Sequence, residues 1–405
     1  MRGQISKEKA MLDPSQLPNV VAELYNKSLD VMTSLRERAA AQRSGPKSLP
    51  RFSISATAEL VGRTSAAIRE AEKDGRLPSN ERTNSGRRIG YTLQQVNEMR
   101  TAFGTRPWRD SEDPVAIIAV QNFKGGVGKS TISVHLAQHL ATKGYRVCLI
   151  DCDSQASTTS LFGYVPDLDL DESDTLYPFF REEEMSSLAY AVKPTHWDGL
   201  YLIPANLRLY AAEYELAARV SRGQPLLLDR LSQGIASIAD AFDIIILDPP
   251  PALGTISLSV MRAANALMIP TPPTVMDFAS TTSFLAMLYE TISTLNENGL
   301  PVALHWIKMV ASRTDEQKSM QREILGLMRN LYGETMLRSV LRDSAEIDNA
   351  TARLMSVYEL EQPVTSRETH NRALTHLNGV NGEIEIEIRK TWPSHAERLA
   401  KEGVL

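Results

Sequence analysis

The chain has 405 residues, 42% of them apolar, which exceeds the usual size of one domain and supplies enough for a sizeable core. No run of about 18 apolar residues is present and the start, MRGQISKEKAMLDPSQ, has no apolar signal core, so the sequence predicts a soluble, cytoplasmic protein rather than a membrane-spanning one. The two cysteines, Cys148 and Cys152, are too few for a disulfide framework or a zinc site and read as packing residues.

The net charge of −5 is unevenly laid out: residues 1–110 carry 19 Lys and Arg against 12 Asp and Glu, and the remainder 25 against 37. A basic front on an acidic body predicts an acidic partner for the front, nucleic acid being the commonest.

In chain order, residues 16 to about 43 lack proline and glycine after Pro18, and Leu17, Val21, Leu24, Val31 and Leu35 mark one face of a long amphipathic helix. Such a helix packs on its own domain or on a second chain. The run Arg43-Ser44-Gly45-Pro46-Lys47-Ser48-Leu49-Pro50 reads as a linker. Beyond it, Ala58, Gly62 and Ile68 have the spacing of two helices about a tight turn, with Thr64 and Ser65 as N-cap types for the second helix. Arg63, Thr64, Ser65, Ala66 and Arg69 then face a DNA major groove. Residues 83–91 look like a hairpin tip flanked by Arg87 and Arg88, and Thr92 with Gln95 forms a capping box for a further helix. Prolines bracket the charged segment 106–114, which marks the next boundary.

From Pro114 strand and helix patterns alternate, which predicts a mostly parallel sheet covered on both faces. The apolar run 115–120 leads into Phe123-Lys124-Gly125-Gly126-Val127-Gly128-Lys129-Ser130-Thr131, followed by residues of helical period closed by Gly144. Strand, glycine-rich turn and helix is the setting in which converging backbone N–H groups hold phosphate, with Lys129 adding charge and Ser130 a magnesium ligand. Gly125, Gly126, Val127, Gly128, Lys129, Ser130 and Thr131 are therefore expected to bind a nucleoside triphosphate with Mg²⁺. A second strand, 145–150, ends in Asp151-Cys152-Asp153-Ser154-Gln155, another is expected at 199–204, and a later one, 242–247, ends in Asp248. Carboxylates at the carboxyl edge of such a sheet lie where ligands bind, and Asp248 takes the Walker B place opposite Ser130. Residues 163–197 are acidic and predict a solvated excursion with a short helix. The alternating segment 383–388 sits between helical patterns and leaves its type open.

Phe123 stands where the general loop pattern has glycine, and Lys124 directly precedes Gly125. This KGGVGKST resembles the deviant Walker A motif of the ParA/MinD class of ATPases. The resemblance implies that Lys124 reaches across a nucleotide-sandwich dimer to the partner's phosphates, that Asp153 orients or activates the attacking water, and that Asp151 helps hold Mg²⁺ through water. Lys124, Lys129 and Asp153 are then the catalytic residues, Ser130, Asp151 and Asp248 the metal group, and the turn after Asp248 the segment that senses γ-phosphate. Ser312-Arg313 and Thr271-Pro272-Pro273 are expected to line the adenine.

The front segment resembles MerR-like winged helix-turn-helix proteins, with Arg63, Thr64, Ser65, Arg69, Arg87 and Arg88 as DNA contacts. The expected fold is α/β: a deviant Walker P-loop ATPase (111–405) with a mostly parallel, doubly wound sheet, preceded by an N-terminal helical dimerisation segment (1–48) and a winged helix-turn-helix (49–110). Over nearly the whole chain this order resembles the large ParA-type plasmid partition ATPases, especially the RepA class of RepABC replicons. That implies ATP and Mg²⁺ as cofactors, an ATP-dependent homodimer, operator DNA bound by the front and non-specific DNA bound by the dimer. It also implies a ParB/RepB-type centromere-binding partner, a nucleoid-associated location and autorepression of the operon. A MinD-like membrane-recruited ATPase needs a C-terminal amphipathic helix, and residues 392–405 are short, polar and broken by proline. An iron–sulfur ATPase of the same loop class needs cysteines beyond Cys152, where none occurs. A repressor with purely regulatory nucleotide binding sits poorly with Lys124, Lys129, Ser130, Asp153 and Asp248 all in place.

Overall fold

A computed structural model describes residues 15–42, 47–182 and 184–404. The expected linker residues 43–46 and Glu183 of the acidic excursion lie outside the described residues. The chain divides into two units, Met1–Ser48 and Leu49–Leu405.

In the first unit, α1 (Leu17–Gln42) is the long helix that the spacing predicts. Its apolar stripe is open to solvent: Leu17, Val21, Leu24, Tyr25, Val31 and Met32 are each about half exposed or more.

The second unit begins with α2 (Ile54–Val61), α3 (Ser65–Lys73) and α4 (Leu93–Phe103). Gly62 closes α2 in the left-handed region at φ 68°, a conformation that glycine adopts without a Cβ penalty. Thr64 caps α3 by accepting from Ala67 N–H at 3.1 Å, and Thr92 and Gln95 form the reciprocal capping box on α4. Each cap contributes about 1 kcal/mol. Ala58, Ile68, Ala71, Val96 and Met99 bury the faces between the three helices.

The remaining elements are β1 (Ala116–Val120), α5 (Lys129–Lys143), β2 (Val147–Asp151) and the short helices α6 (Ser157–Leu161), α7 (Pro166–Asp169) and α8 (Tyr177–Arg181). They continue with β3 (Lys193–Pro194), β4 (Leu200–Ile203), α9 (Leu209–Ser221), α10 (Arg230–Ala236), β5 (Ile244–Asp248), α11 (Thr255–Ala263), β6 (Ala266–Thr271) and α12 (Val275–Glu297). The last are β7 (Trp306–Ala311), α13 (Ser319–Tyr332), α14 (Ala345–Thr351), α15 (Arg367–Lys390) and α16 (Ala396–Lys401). The sheet has seven strands in the order β3-β4-β2-β5-β1-β6-β7, parallel except for β3. Strands with helices on both faces need apolar side chains in both directions, which is why Ile244, Ile245, Ile246 and Leu247 are all fully buried. Burial of each such side chain is worth about 1.5–3 kcal/mol.

α5 is buried on nearly every side from Ile132 to Ala141, because the sheet lies beneath it and α15 covers it. His135 joins these layers: its Nδ1 meets the Thr131 carbonyl at 2.7 Å and its Nε2 accepts from Val357 N–H at 3.2 Å. Burial lowers its pKa, in keeping with the neutral ring that this pattern requires.

One segment differs from expectation and one left open is settled. The solvated excursion is only half so: residues 167–174 are largely exposed, but Leu176, Tyr177, Phe179 and Phe180 are buried against α9 and α10. The undecided segment 383–388 is helical, inside α15. Ala373, Leu377, Val380, Ile384 and Ile388 recur at helical spacing and bury one stripe, which overrides the local alternation of Glu and Ile.

Residues 49–110 pack on the ATPase body within one unit. Arg100, 1% exposed, donates to the carbonyls of Leu60 (3.1 Å) and Thr142 (2.7 Å) and to Asn97 Oδ1 (2.6 Å). Burial pulls its guanidinium down to about 10. Asn97 in turn donates to Asp198 at 2.6 Å. Gly144 makes room for this arginine, since a Cβ there would come within 2.8 Å of Arg100 Nη1. Trp108 completes the seam: its indole N–H donates to the Gly144 carbonyl at 2.9 Å, and the guanidiniums of Arg106 and Arg146 each lie 4.6 Å from its ring centroid.

Candidate functional site

The glycine-rich loop joins β1 to the N-terminus of α5, so the unsatisfied N–H groups of the first helical turn and the positive end of the dipole face the loop's concavity. Gly126 (φ 75°) and Gly128 (φ 97°) adopt conformations closed to most L-residues, which lets consecutive N–H groups turn inward. Phe123 sits edge-on to Phe284 of α12 with centroids 4.7 Å apart, so the departure from glycine pins the loop's entrance to the core. Asn122 fixes the next step, donating to the Pro270 carbonyl at 2.8 Å and accepting from Lys124 N–H at 3.0 Å.

A cleft of about 510 Å³ opens over the loop, lined by Gly125, Gly126, Gly128, Lys129, Ser130, Thr131 and Asp153. Lys129, 8% exposed, spans the loop to the Lys124 carbonyl at 3.3 Å. Burial lowers its pKa, while the carboxylates of Asp248 and Asp153 act in the opposite sense.

The strand-end aspartates divide their work. Asp151 and Asp248 are paired in register across β2 and β5, and both are fully buried. Burial raises the pKa of each, and the charge of Asp248 adds to the effect at Asp151. Asp248 accepts from Ser133 at 3.1 Å and from Thr158 at 2.7 Å, and the nearby Ser130 hydroxyl, expected to ligate magnesium, helps to hold its pKa down against burial. Asp151 also supports the neighbouring loop. Its oxygens accept from Asp153 N–H (3.1 Å), Thr159 N–H (2.9 Å) and the Thr159 hydroxyl (2.7 Å), so it shapes the loop that carries Asp153. Neither Asp151 nor Asp248 lines the cleft itself. Asp153 does line it and holds its turn through Gln155 N–H at 2.9 Å. Ala156 follows at φ 51°, strained for a residue with a Cβ, and starts the turn that delivers Thr158 and Thr159 to their aspartates.

Lys124 points elsewhere. Its ammonium pairs with Asp277 near the start of α12, and it is absent from the cleft lining. Asp277 is held in turn by the Thr274 N-cap.

The residues expected at the adenine are placed differently from one another. Arg313 lines the cleft at φ 50° and donates to the Gly126 carbonyl at 3.2 Å, while Ser312 donates to the Val127 carbonyl at 2.8 Å. Thr271, Pro272 and Pro273 are buried away from the cleft. The cleft is also lined by Leu341, Arg342, Asp343, Ser344, Ile347, Asp348 and Thr351, a loop and helix with no motif spacing to betray them.

Of the expected DNA contacts, Arg69 and Arg87 are exposed and carry no ion pair among the described residues. Arg63 donates to the Phe103 carbonyl at 3.1 Å, and Arg88 pairs with Glu72 at 2.8 Å and donates to Tyr91 Oη at 2.8 Å. Thr64 and Ser65 stand at the start of α3, with the Thr64 hydroxyl engaged as its cap.

The glycine loop, the buried lysine and the serine–aspartate pair at the sheet's carboxyl edge define a P-loop ATPase site. Residues able to hold ATP and Mg²⁺ are in place: the loop N–H groups and Lys129 for phosphates, Ser130 and Asp248 for the ion. Residues 115–301 match the AAA domain family. The chain is similar to the putative replication protein A of Sinorhizobium fredii, 31% identical over 85% of this chain and 88% of that protein. It is also similar to Protein SopA of Escherichia coli K12, 38% identical over 76% of this chain and 80% of that protein. A solved partition protein superposes with a TM-score of 0.63 over 91% of this chain and 98% of its own at 21% identity, which shows the shared fold. The chain belongs to the ParA/MinD family of P-loop partition ATPases. Among the described residues no helix is long and apolar enough to cross a membrane.

Proposed function

We propose that this is a plasmid partition ATPase of the kind represented by replication protein A and SopA, and that it works as an ATP-dependent homodimer. The two lysines of the loop carry this reading. Lys129 spans its own loop, whereas Lys124 turns out of its own cleft to Asp277, as expected of a residue whose phosphate partner lies in a second copy. Breaking the Lys124–Asp277 pair is then part of dimer assembly. In the assembled site, Lys129 and the loop amides hold the phosphates, Asp153 orients the attacking water and Lys124 of each subunit neutralises charge in the other. Ser130 and Asp248 would hold Mg²⁺ there, which would supply positive charge against that of the phosphates.

The three helices at 54–103 and the hairpin at 82–88 are read as a winged helix-turn-helix bound to the operon's own operator. Gly62 in the turn, the capped start of α3, and the exposed Arg69 and Arg87 support this. The open stripe of α1 supports its use as a further dimer contact. The ATP dimer binds DNA without sequence preference, and a ParB/RepB-type protein stimulates hydrolysis and releases it. The test is ATP turnover by the full chain alone, with DNA, and with DNA plus the ParB/RepB-type protein of its operon. Slow basal turnover that rises with both is expected; turnover indifferent to both removes the partition reading.

A further inference from the structure

The helix that follows Asp248 begins without a cap of its own. Gly254 has no side chain to offer the N–H groups of the first turn of α11, which would otherwise lack partners. Glu213, on the inner side of α9, supplies them: Oε1 accepts from Thr255 N–H, and Oε2 accepts from Ile256 N–H at 2.9 Å. A carboxylate that bridges two N–H groups at the positive end of a helix makes a charge-assisted, two-point contact. Gly254 is part of the fit. Its φ of −102° and ψ of −177° suit any residue, but a Cβ there would overlap the Glu213 carboxylate.

We propose that Glu213 is a positioning residue for ATP hydrolysis, pinning the far end of segment 249–254 so that this segment keeps its place over the phosphate end of the cleft. The near end, Asp248, is already pinned by Ser133 and Thr158. Between them run Pro249, Pro250 and Pro251, whose fixed φ angles stiffen the first half of the segment, and Ala252, whose carbonyl accepts from the Ser257 hydroxyl of α11 at 2.6 Å and ties the second half to the same helix. Pro251 lines the cleft, so a shift at Gly254 is carried to the nucleotide. Glu213 itself does not line the cleft and touches no reacting atom; its effect passes through α11 and the prolines.

The experiment compares Glu213→Ala, Gly254→Ala and the double variant in the full chain, measuring the Kd of a fluorescent ATP analogue, KM and kcat. Misplacement by about 1 Å costs up to about 100-fold in rate, so kcat is expected to fall about tenfold in either single variant while Kd stays within about twofold. Gly254→Ala acts by expelling the carboxylate that Glu213→Ala removes, so the double variant is no slower than the slower single one. Glu213→Gln, which retains an acceptor for one of the two N–H groups, recovers part of kcat. Unchanged kcat in both Glu213 variants overturns the proposal, as do additive losses in the double variant. Reduced thermal stability with normal kcat per folded molecule gives Glu213 a purely structural role and also overturns it.

Discussion

Replacing Arg100 by methionine tests how the N-terminal helices are fixed to the ATPase body. Methionine preserves much of the stem's volume and removes every donor, leaving the Leu60 and Thr142 carbonyls and Asn97 Oδ1 without the partners they now have at 3.1, 2.7 and 2.6 Å. An unsatisfied buried acceptor costs about 1–3 kcal/mol, and three give an upper figure of about 9. Water entering the loosened seam and small shifts of α4 reduce this, and the loss on breaking comparable buried charged contacts is about 3–5 kcal/mol. The expected loss is therefore about 3 kcal/mol, confined to the junction. Urea titration followed by tryptophan fluorescence, to which Trp108 on that seam contributes, should show the midpoint moving to lower urea. Limited proteolysis should open the chain between residues 104 and 114, while ATP binding at the far end of α5 persists. A loss below about 1 kcal/mol with unchanged proteolysis would refute the claim that these hydrogen bonds hold the two parts together.

Asp153→Ala should bind ATP normally but lose about 10²–10⁴-fold in kcat, whereas Lys129→Ala should lose ATP binding itself; equilibrium binding and steady-state turnover separate the two. Arg69→Ala with Arg87→Ala should weaken operator binding and leave ATPase activity intact, and electrophoretic mobility shifts at fixed salt read the difference. Arg63→Ala and Arg88→Ala should instead lower stability, since both side chains hold the domain's own groups. Asp151→Asn isolates a pH effect. The buried carboxyl is raised to about 8 from an ordinary 3.8, so the folded state retains its proton where the unfolded state has lost it. The wild type therefore loses stability relative to the variant as pH rises from about 4 to about 8, by at most about 1.4 kcal/mol per pH unit. Thermal unfolding at pH 6 and pH 8 should show that difference moving in the variant's favour, and an unchanged difference would remove the buried-carboxyl account.

What could be read in the sequence was whatever is local. The run from Phe123 to Thr131 carries its own instructions, because a phosphate cradle is made by consecutive residues and the helix that follows them. The apolar runs ending in Asp151 and Asp248 were legible for the same reason, as was the Thr92–Gln95 cap. The rest depends on contacts between distant residues. Asp277 meets Lys124 across 153 positions, and nothing around Asp277 distinguishes it from an ordinary helix-start acid. Asp151 is a similar case: the family resemblance implied a metal role for it, while the three donors it accepts from come from a turn whose path only the fold reveals. Arg342, Asp343 and Ser344 reach the cleft because a loop after the last strand folds back over it. Tyr177 and Phe180, embedded in an acidic stretch, are core because α9 and α10 pass over them.

The dimer is tested most directly by sedimentation velocity of the full chain with ATP and Mg²⁺, comparing the wild type with Lys124→Ala under conditions where both bind nucleotide. The wild type should shift from monomer to dimer on adding ATP, and Lys124→Ala should remain a monomer. An ATP-dependent dimer of equal affinity in the variant would contradict the composite site.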